Sequence, residues 1–237
     1  MTLRRRAVAW SVHLFTGLGL VAAAGIAVLI VHGGDDSFRA AFALMWVATL
    51  IDAVDGTFAK MARVREVLPS FDGRRLDDII DFQTYTSLPL LLIWRAGILP
   101  GGWSGVLLFP LLASAFGFSR VAAKTDDGYF LGFPSYWNIV AFYCYFLAPP
   151  PWLGISTIVI LSLLTFVPSR YLYPTQPGRI SRIANLLAVP WAALLIGILS
   201  AVPTHRRNLA LVSLYFPALY IAASWWVTLR GATRAVK

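Results

Sequence analysis

Residues 51–81 read IDAVDGTFAKMARVREVLPSFDGRRLDDIID, a polar stretch inside an otherwise apolar chain. Four of its aspartates are spaced as helix neighbours: Asp52 and Asp55 lie three positions apart, and Asp77 and Asp81 lie four apart. On an α-helix, each of these spacings places a pair of side chains on one face. Strongly apolar segments precede the first pair and follow the second. We therefore expect two helices, joined by a basic loop, to bring the four carboxylates together near a membrane surface.

Four carboxylates at close range repel one another unless positive charge lies between them. Carboxylate oxygens are the ligands that hard cations such as Mg²⁺ prefer, and Mn²⁺ accepts the same ligands. Charged groups inside a membrane are costly, so their presence there indicates a functional site. The stretch therefore predicts a divalent-metal site.

The composition is that of a membrane protein. The 237 residues are 58% hydrophobic and only 13% charged, and the mean hydropathy is +0.70. Apolar windows of about 20 residues, the length that crosses a bilayer, recur to the end of the chain. We predict an all-α integral membrane protein with about eight transmembrane helices, forming a single domain over residues 1–237.

The predicted spans have the following approximate limits: 8–31, 38–61, 76–96, 103–122, 134–147, 152–166, 180–199 and 209–229. Residues 62–75 are predicted to form a polar loop. An even number of spans puts both termini on one side, and that side then carries 16 of the 20 basic residues. The positive-inside rule makes it the cytoplasmic side, together with the four carboxylates. A six-span count, with the last two segments re-entrant, would also balance the charges.

The net charge of +9 would suggest nucleic-acid binding in a soluble protein. Here the uneven distribution of basic residues across the membrane explains it, and no nucleic-acid-binding motif or basic helix stripe is present. The single cysteine, Cys144, excludes an internal disulfide and is interpreted as a small buried apolar residue.

The carboxylates belong to a longer pattern, Asp52-x2-Asp55-Gly56-x2-Ala59-Lys60 followed by Gly73-x3-Asp77-x3-Asp81. This pattern resembles the signature of the CDP-alcohol phosphotransferases. Lys60 stands where that signature has arginine, which keeps the positive charge but loses forked hydrogen bonding. The twelve residues between Lys60 and Gly73 make a longer spacer than most of the family has, and this length resembles the bacterial phosphatidylcholine synthase branch. Residues 12–16, 119–125, 132–143 and 166–175 also resemble that branch.

The resemblance implies roles for the signature residues. Metal ligation, by two ions of Mn²⁺ or Mg²⁺, falls to Asp52, Asp55, Asp77 and Asp81. Asp81 is also the expected general base. Contact with the CDP moiety is implied for Asp52, Gly56, Ala59, Lys60 and Gly73. A glycine allows a ligand to approach the backbone closely, although helix packing or a turn is the better explanation of each glycine taken alone.

The resemblance further implies a reaction, in which an alcohol attacks the β-phosphorus of a CDP-linked lipid and CMP leaves. In the phosphatidylcholine branch the lipid is CDP-diacylglycerol and the alcohol is choline. Proteins hold a quaternary ammonium group on aromatic faces, which makes four aromatic residues candidates: Tyr85, Tyr136, Trp137 and Tyr143. Tyr85 is favoured because it follows Asp81 by one helical turn. Ordinary packing or an interfacial belt is the alternative for each of them.

Two cationic side chains follow the fourth span, Arg120 and Lys124. They are candidates for binding lipid phosphate, and ordinary positive-inside charge is the alternative. His13, in the first span, is interpreted as a packed, hydrogen-bonded histidine. The family resemblance also implies a homodimer in the bacterial inner membrane, with no nucleic-acid partner.

Other functions remain open at this point. Serine, glycerol 3-phosphate or inositol phosphate could replace choline, because Arg63, Arg65, Arg74 and Arg75 could bind an anionic acceptor. A transporter would place its acids near mid-membrane, often between broken helices, whereas here they cluster towards one side. An inactive scaffold is disfavoured because all four signature aspartates are present, and Lys60 is the one departure from the pattern.

Overall fold

The computed structural model describes residues 2–120, 125, 128–172 and 178–235. Almost all of this part of the chain is helical. The α-helices are α1 (Leu3–His32), α2 (Asp35–Met61), α3 (Val64–Val67), α4 (Gly73–Asp81), α5 (Leu88–Arg95), α6 (Leu108–Ser119), α7 (Trp137–Leu147), α8 (Pro151–Leu164), α9 (Arg179–Ser200), α10 (Pro203–Ser213) and α11 (Tyr215–Ala235). A π-helical segment (Phe82–Ser87) joins α4 to α5, and a 3₁₀ segment (Gly101–Leu107) precedes α6. Two two-residue strands, β1 (Phe130–Leu131) and β2 (Arg170–Tyr171), pair antiparallel.

Within the described residues, five helices are long and apolar enough to cross a membrane: Leu3–His32, Asp35–Met61, Gly101–Ser119, Arg179–Ser200 and Pro203–Arg230. Helix α1 shows the pattern of a lipid-facing surface. Its residues Leu14, Val21 and Val28 recur every seven positions along one side of the helix, and all three are about 70% exposed. Such a continuous apolar stripe is unfavourable in water and favourable against hydrocarbon. The chain is an all-α integral membrane protein, as predicted.

Each predicted span coincides with a helix or with a run of helices. The third span, expected at 76–96, is the run from Gly73 to Arg95 that contains α4, the π-helical segment and α5. The fifth was expected from residue 134, but α7 begins at Trp137. Ser135 has a φ of +56°, a left-handed backbone conformation that cannot continue a right-handed helix. The number of crossings and their orientation stay predictions.

The contacts divide the chain into two compact units, Met1–Ala96 and Gly97–Lys237. In the first unit, α1 packs along α2 and also contacts α3, α4, the π-helical segment and α5. Small residues on α1 permit these close approaches. A Cβ added to Gly19 would lie 2.6 Å from Cγ2 of Ile80, and one added to Gly25 would lie 2.8 Å from Cδ1 of Leu44. Helix α1 is therefore the element against which the rest of this unit is assembled.

The prediction that residues 62–75 form only a polar loop was wrong. This segment contains α3, and its residues Val64, Val67 and Leu68 are buried against Ala9 and Val12 of α1. Their i, i+3, i+4 spacing is that of an amphipathic helix, so the signal was present in the sequence. Burial of these side chains fixes the path of the chain between α2 and α4.

In the second unit, side-chain hydrogen bonds connect elements that are far apart in sequence. The hydroxyl of Tyr143 on α7 accepts a hydrogen bond from Nε1 of Trp191 on α9 (2.9 Å) and hydrogen-bonds to Ser213 on α10. The backbone nitrogen of Arg170, on β2, donates to Oγ1 of Thr228 on α11 (2.7 Å). Polar groups buried in a membrane protein need such internal partners because lipid offers none.

Candidate metal centre

Two helices of the first unit carry the signature carboxylates. Asp52 and Asp55 lie in the second half of α2, where Asp55 is only 5% exposed and Asp52 is half-buried. Asp77 and Asp81 lie on α4 and are both half-buried. The start of α4 is fixed by Asp72, whose carboxylate caps the helix by accepting a hydrogen bond from the backbone nitrogen of Arg75 (3.2 Å).

Three of the four carboxylates converge. One oxygen of each of Asp52, Asp55 and Asp77 lies within 4.8 Å of the other two. Asp55 and Asp77 are close enough to hydrogen-bond to each other. Three oxygen ligands at this separation fit a hard divalent cation, whose charge would offset the repulsion between ionised carboxylates. The donor set is therefore suited to a divalent cation.

Asp81 lies one turn beyond Asp77, at the last residue of α4. It is not part of the three-oxygen group, but it is near enough to Asp52, Asp77 and Asp55 to be repelled by them electrostatically. The arrangement places one further carboxyl at the edge of the cluster. Asp78, which falls outside the signature, lies near Arg74, with 3.9 Å between its Oδ2 and the Nε of the arginine, and is also within electrostatic reach of Asp77 and Asp81.

Two hydroxyl groups hydrogen-bond to the carboxylates. Oγ1 of Thr16, on α1, donates to Oδ2 of Asp55 (2.8 Å) inside the protein. The phenolic hydroxyl of Tyr85, on the π-helical segment, donates to Oδ2 of Asp52 (2.8 Å). Sequence reasoning placed Tyr85 beside Asp81 and did not single out Thr16 for the site. Tyr85 does lie within electrostatic reach of both Asp52 and Asp81.

The two signature glycines have different surroundings. A Cβ added to Gly56 would meet nothing within 4 Å, so the backbone there is open to a ligand. A Cβ added to Gly73 would collide with the imidazole ring of His13, at 2.9 Å from Nδ1 and closer still to Cε1. In the structure, the missing side chain of Gly73 allows α1 and α4 to pack. Ala59 packs against the buried cluster formed by α1 and residues 64–68. Lys60 is exposed in the last turn of α2.

His13 itself is only 7% exposed and packs against Phe71, with ring centroids 4.3 Å apart. The expectation of a packed histidine is confirmed. Its buried Nε2, however, has no hydrogen-bond partner among the residues that the structure describes. The expectation of a hydrogen-bonded histidine is therefore contradicted at this nitrogen, because the ring is enclosed by Phe71, Trp10 and the backbone at Gly73.

The remaining candidates lie in the second unit. Arg120 directly follows α6. Its Nη1 donates to the carbonyl oxygen of Leu131 (3.3 Å), and its guanidinium lies 5.5 Å from the centre of the Phe116 ring. These contacts hold the arginine at the start of the segment that leads to β1. Lys124 lies outside the described residues.

The three aromatic candidates of the second unit differ in exposure. Tyr136 is half-buried and contacts Tyr220 edge to face. Trp137 is completely buried, and its Nε1 donates to Oγ of Ser114 (2.8 Å). Tyr143 is 9% exposed, and its hydroxyl is engaged by Ser213 and Trp191. Of the three, Tyr136 has the most accessible ring face for a ligand.

Known proteins are similar to this chain over most of its length. It is 38% identical over 178 residues to a phosphatidylcholine synthase of Pseudomonas aeruginosa, covering 73% of this chain and 72% of that protein. The chain belongs to the phosphatidylcholine synthase family. The Legionella pneumophila member is 31% identical over 236 residues, covering 96% and 91% of the two chains. The Borreliella burgdorferi member is 30% identical over 219 residues, covering 91% and 92%. A scan against protein-family models finds no match.

Proposed function

We propose that this protein is an enzyme that transfers the phosphatidyl group of CDP-diacylglycerol to choline, giving phosphatidylcholine and CMP. The observation that carries the proposal is the convergence of Asp52, Asp55 and Asp77 within 4.8 Å, inside a phosphotransferase-like signature. Membership of the phosphatidylcholine synthase family supports choline as the acceptor.

The proposed metal centre consists of Asp52, Asp55 and Asp77, with Asp81 as a further ligand if two ions bind. Mn²⁺ or Mg²⁺ held there would supply the positive charge that orients the pyrophosphate and stabilises the charge on the leaving phosphate. On the protein side, the open backbone at Gly56 and the charge of Lys60 are proposed to hold the CDP moiety. Ala59 and Gly73 complete the proposed nucleotide site.

Asp81 is proposed to act as the general base. Its position at the edge of the cluster lets it face an incoming alcohol while the other carboxylates hold the cation. It takes the hydroxyl proton of choline, whose oxygen forms a bond to the β-phosphorus as the bond between that phosphorus and the CMP oxygen breaks. A base needs only to reach the hydroxyl at hydrogen-bond distance.

Proteins bind a quaternary ammonium group such as that of choline against the faces of aromatic rings. Tyr85 is the strongest candidate because its hydroxyl is already hydrogen-bonded to Asp52 and lies within electrostatic reach of Asp81. Tyr136, Trp137 and Tyr143 are retained as candidates, with the burial of Trp137 arguing for a supporting role. Arg120 and Lys124 are proposed to bind the lipid phosphates.

The distribution of basic residues leads us to propose that both termini and the carboxylates face the cytoplasm. We propose that the 237 residues act as one catalytic domain in the bacterial inner membrane and that the enzyme is a homodimer.

The test is CMP release by purified protein given CDP-diacylglycerol and Mn²⁺ or Mg²⁺, with choline compared against serine, glycerol 3-phosphate and inositol phosphate. Asp81→Asn removes the proposed base. Asp78→Asn, three residues earlier on α4, is the matched control because Asp78 lies near Arg74. Release with choline alone, lost in Asp81→Asn and retained in Asp78→Asn, is the expected result. Release with another acceptor only would overturn choline as the substrate. No release with any acceptor from folded, metal-loaded protein would overturn the proposed activity.

A further inference from the structure

We infer that Thr16 on α1 is a positioning residue that fixes the Asp55 carboxylate for metal binding. The inference rests on the proposed metal centre and adds a residue that lies outside the signature. Its basis is a buried hydrogen bond of 2.8 Å from Oγ1 of Thr16 to Oδ2 of Asp55, between residues 39 positions apart.

The direction of the Thr16 hydroxyl is unusual for a threonine in a helix. Threonines within helices commonly donate back to the carbonyl oxygen of an earlier turn. In this protein Thr49 donates to the carbonyl of Met45, and Thr84 donates to that of Ile80. A hydroxyl has a single proton to donate, and Thr16 directs that proton to Asp55. The Thr16 hydroxyl thus hydrogen-bonds to a side chain of α2 instead of to the backbone of its own helix.

Loss of this hydrogen bond should affect the Asp55 carboxylate strongly because both partners are buried. Thr16 is 7% exposed and Asp55 is 5% exposed, so water cannot easily replace a lost hydroxyl. Removing one partner of a buried hydrogen bond leaves the other unsatisfied, and this is more costly when the remaining group is charged. Asp55 is the most deeply buried residue of the three-carboxylate group and is therefore the least accessible to water.

The geometry leaves the carboxylate free to bind a cation. An ionised carboxylate accepts about four hydrogen bonds or metal contacts through its two oxygens. Thr16 uses one such site on Oδ2 and so restricts the rotation of the group, and one oxygen of Asp55 lies within 4.8 Å of an oxygen of Asp52 and an oxygen of Asp77. Groups that orient a metal ligand in this manner typically change metal affinity by about 10–100-fold when they are removed.

Isothermal titration of the purified protein with Mn²⁺, in the absence of lipid substrate, tests this role directly. Thr16→Val keeps the shape and removes the donor, and Thr16→Ser keeps the donor. The matched control is Thr86→Val, because Thr86 is likewise a buried threonine of this unit, but its Oγ1 has no hydrogen-bond partner among the described residues. Thr16→Ala is a second donor-free variant if Thr16→Val fails to fold.

We expect the donor-free variants at Thr16 to bind Mn²⁺ about 10–100-fold more weakly than the wild type, while Thr16→Ser and Thr86→Val stay close to it. Equal affinity in Thr16→Val and the wild type would overturn the positioning role, as would an equal loss in Thr86→Val. If the wild type itself binds no Mn²⁺, the proposed metal centre is wrong and the inference falls with it. The two failures are thereby distinguished.

Discussion

Replacing Gly73 with alanine should destabilise the protein, although the replacement of a glycine by alanine in a helix is usually stabilising. Gly73 is the first residue of α4 and has no unusual backbone conformation. Glycine inside a helix is less stable than alanine by roughly 0.5–1 kcal/mol. From helix propensity alone, Gly73→Ala would therefore be neutral or stabilising.

The structure reverses this expectation because the new methyl group would enter the imidazole ring of His13. The ring cannot easily retreat, since Phe71 lies 4.3 Å from it and Trp10 lies 5.8 Å from it, measured between ring centroids. Overpacking of a filled core typically costs about 1–3 kcal/mol. For a chain of this length each kcal/mol corresponds to roughly 2–4 °C in Tm, so a fall of roughly 2–12 °C is expected.

The assay is thermal unfolding in one detergent, with Gly56→Ala as the matched control. Nothing lies within 4 Å of a Cβ at Gly56, so this variant should match or exceed the wild-type Tm. The double variant Gly73→Ala/His13→Ala should lose less stability than the two single variants added together, by about 1 kcal/mol or more. A Gly73→Ala protein as stable as the wild type, or strict additivity in the double variant, would refute the steric argument.

Three further substitutions test individual contacts. Tyr85→Phe removes the hydrogen-bond donor to Asp52 and keeps the aromatic ring. The Mn²⁺ concentration needed for half-maximal CMP release should therefore rise about 10-fold or more, with little change in the KM for choline. Tyr143→Phe removes a buried hydroxyl that hydrogen-bonds to Ser213 and to Trp191, so unfolding measurements should show a loss of about 1–3 kcal/mol. Arg120→Ala should raise the KM for CDP-diacylglycerol about 10–100-fold if the guanidinium binds lipid phosphate, which corresponds to about 1.5–3 kcal/mol for charge-assisted hydrogen bonds. An unchanged metal requirement, an unchanged Tm or an unchanged KM would contradict these three expectations respectively.

The placing of each carboxylate pair on one helix face could be predicted from sequence because that information is local. Asp52 and Asp55 share a face of α2 through their spacing alone, and the same holds for Asp77 and Asp81 on α4. Hydropathy similarly locates the long helices, because about 20 apolar residues suffice to identify a candidate span. Periodicity does not say which face of one helix meets which face of another.

The contacts made by α1 could not be predicted for that reason. A threonine in an apolar helix, such as Thr16, gives no sign in the sequence that its hydroxyl reaches Asp55. Likewise, Gly73 was interpreted as space for nucleotide, and its close approach to His13 depends on the packing of α1 against α4. Both cases involve pairs of residues that are distant in sequence and are brought together only by tertiary structure.

The π-helical segment Phe82–Ser87 is the local feature that spacing rules describe least well. An ideal α-helix would place Tyr85 one turn beyond Asp81 on nearly the same face. The wider π-helical turn changes the angle between successive side chains, and such insertions occur frequently at functional sites. Here the phenol hydroxyl reaches Asp52, on the opposite helix of the site, while Tyr85 stays within electrostatic reach of Asp81.

Hydroxyl donors from two different elements therefore hold the two carboxylates of α2. Thr16 binds Asp55 from α1, and Tyr85 binds Asp52 from the π-helical segment. Neither donor is charged, so each can orient a carboxylate without competing with the cation. A lysine or arginine in the same place would compete with the cation for the carboxylate. Neutral hydroxyl donors are therefore well suited to orient the carboxylates of a site that has to attract a cation. A divalent cation held by these carboxylates would then supply positive charge to the pyrophosphate of the proposed reaction.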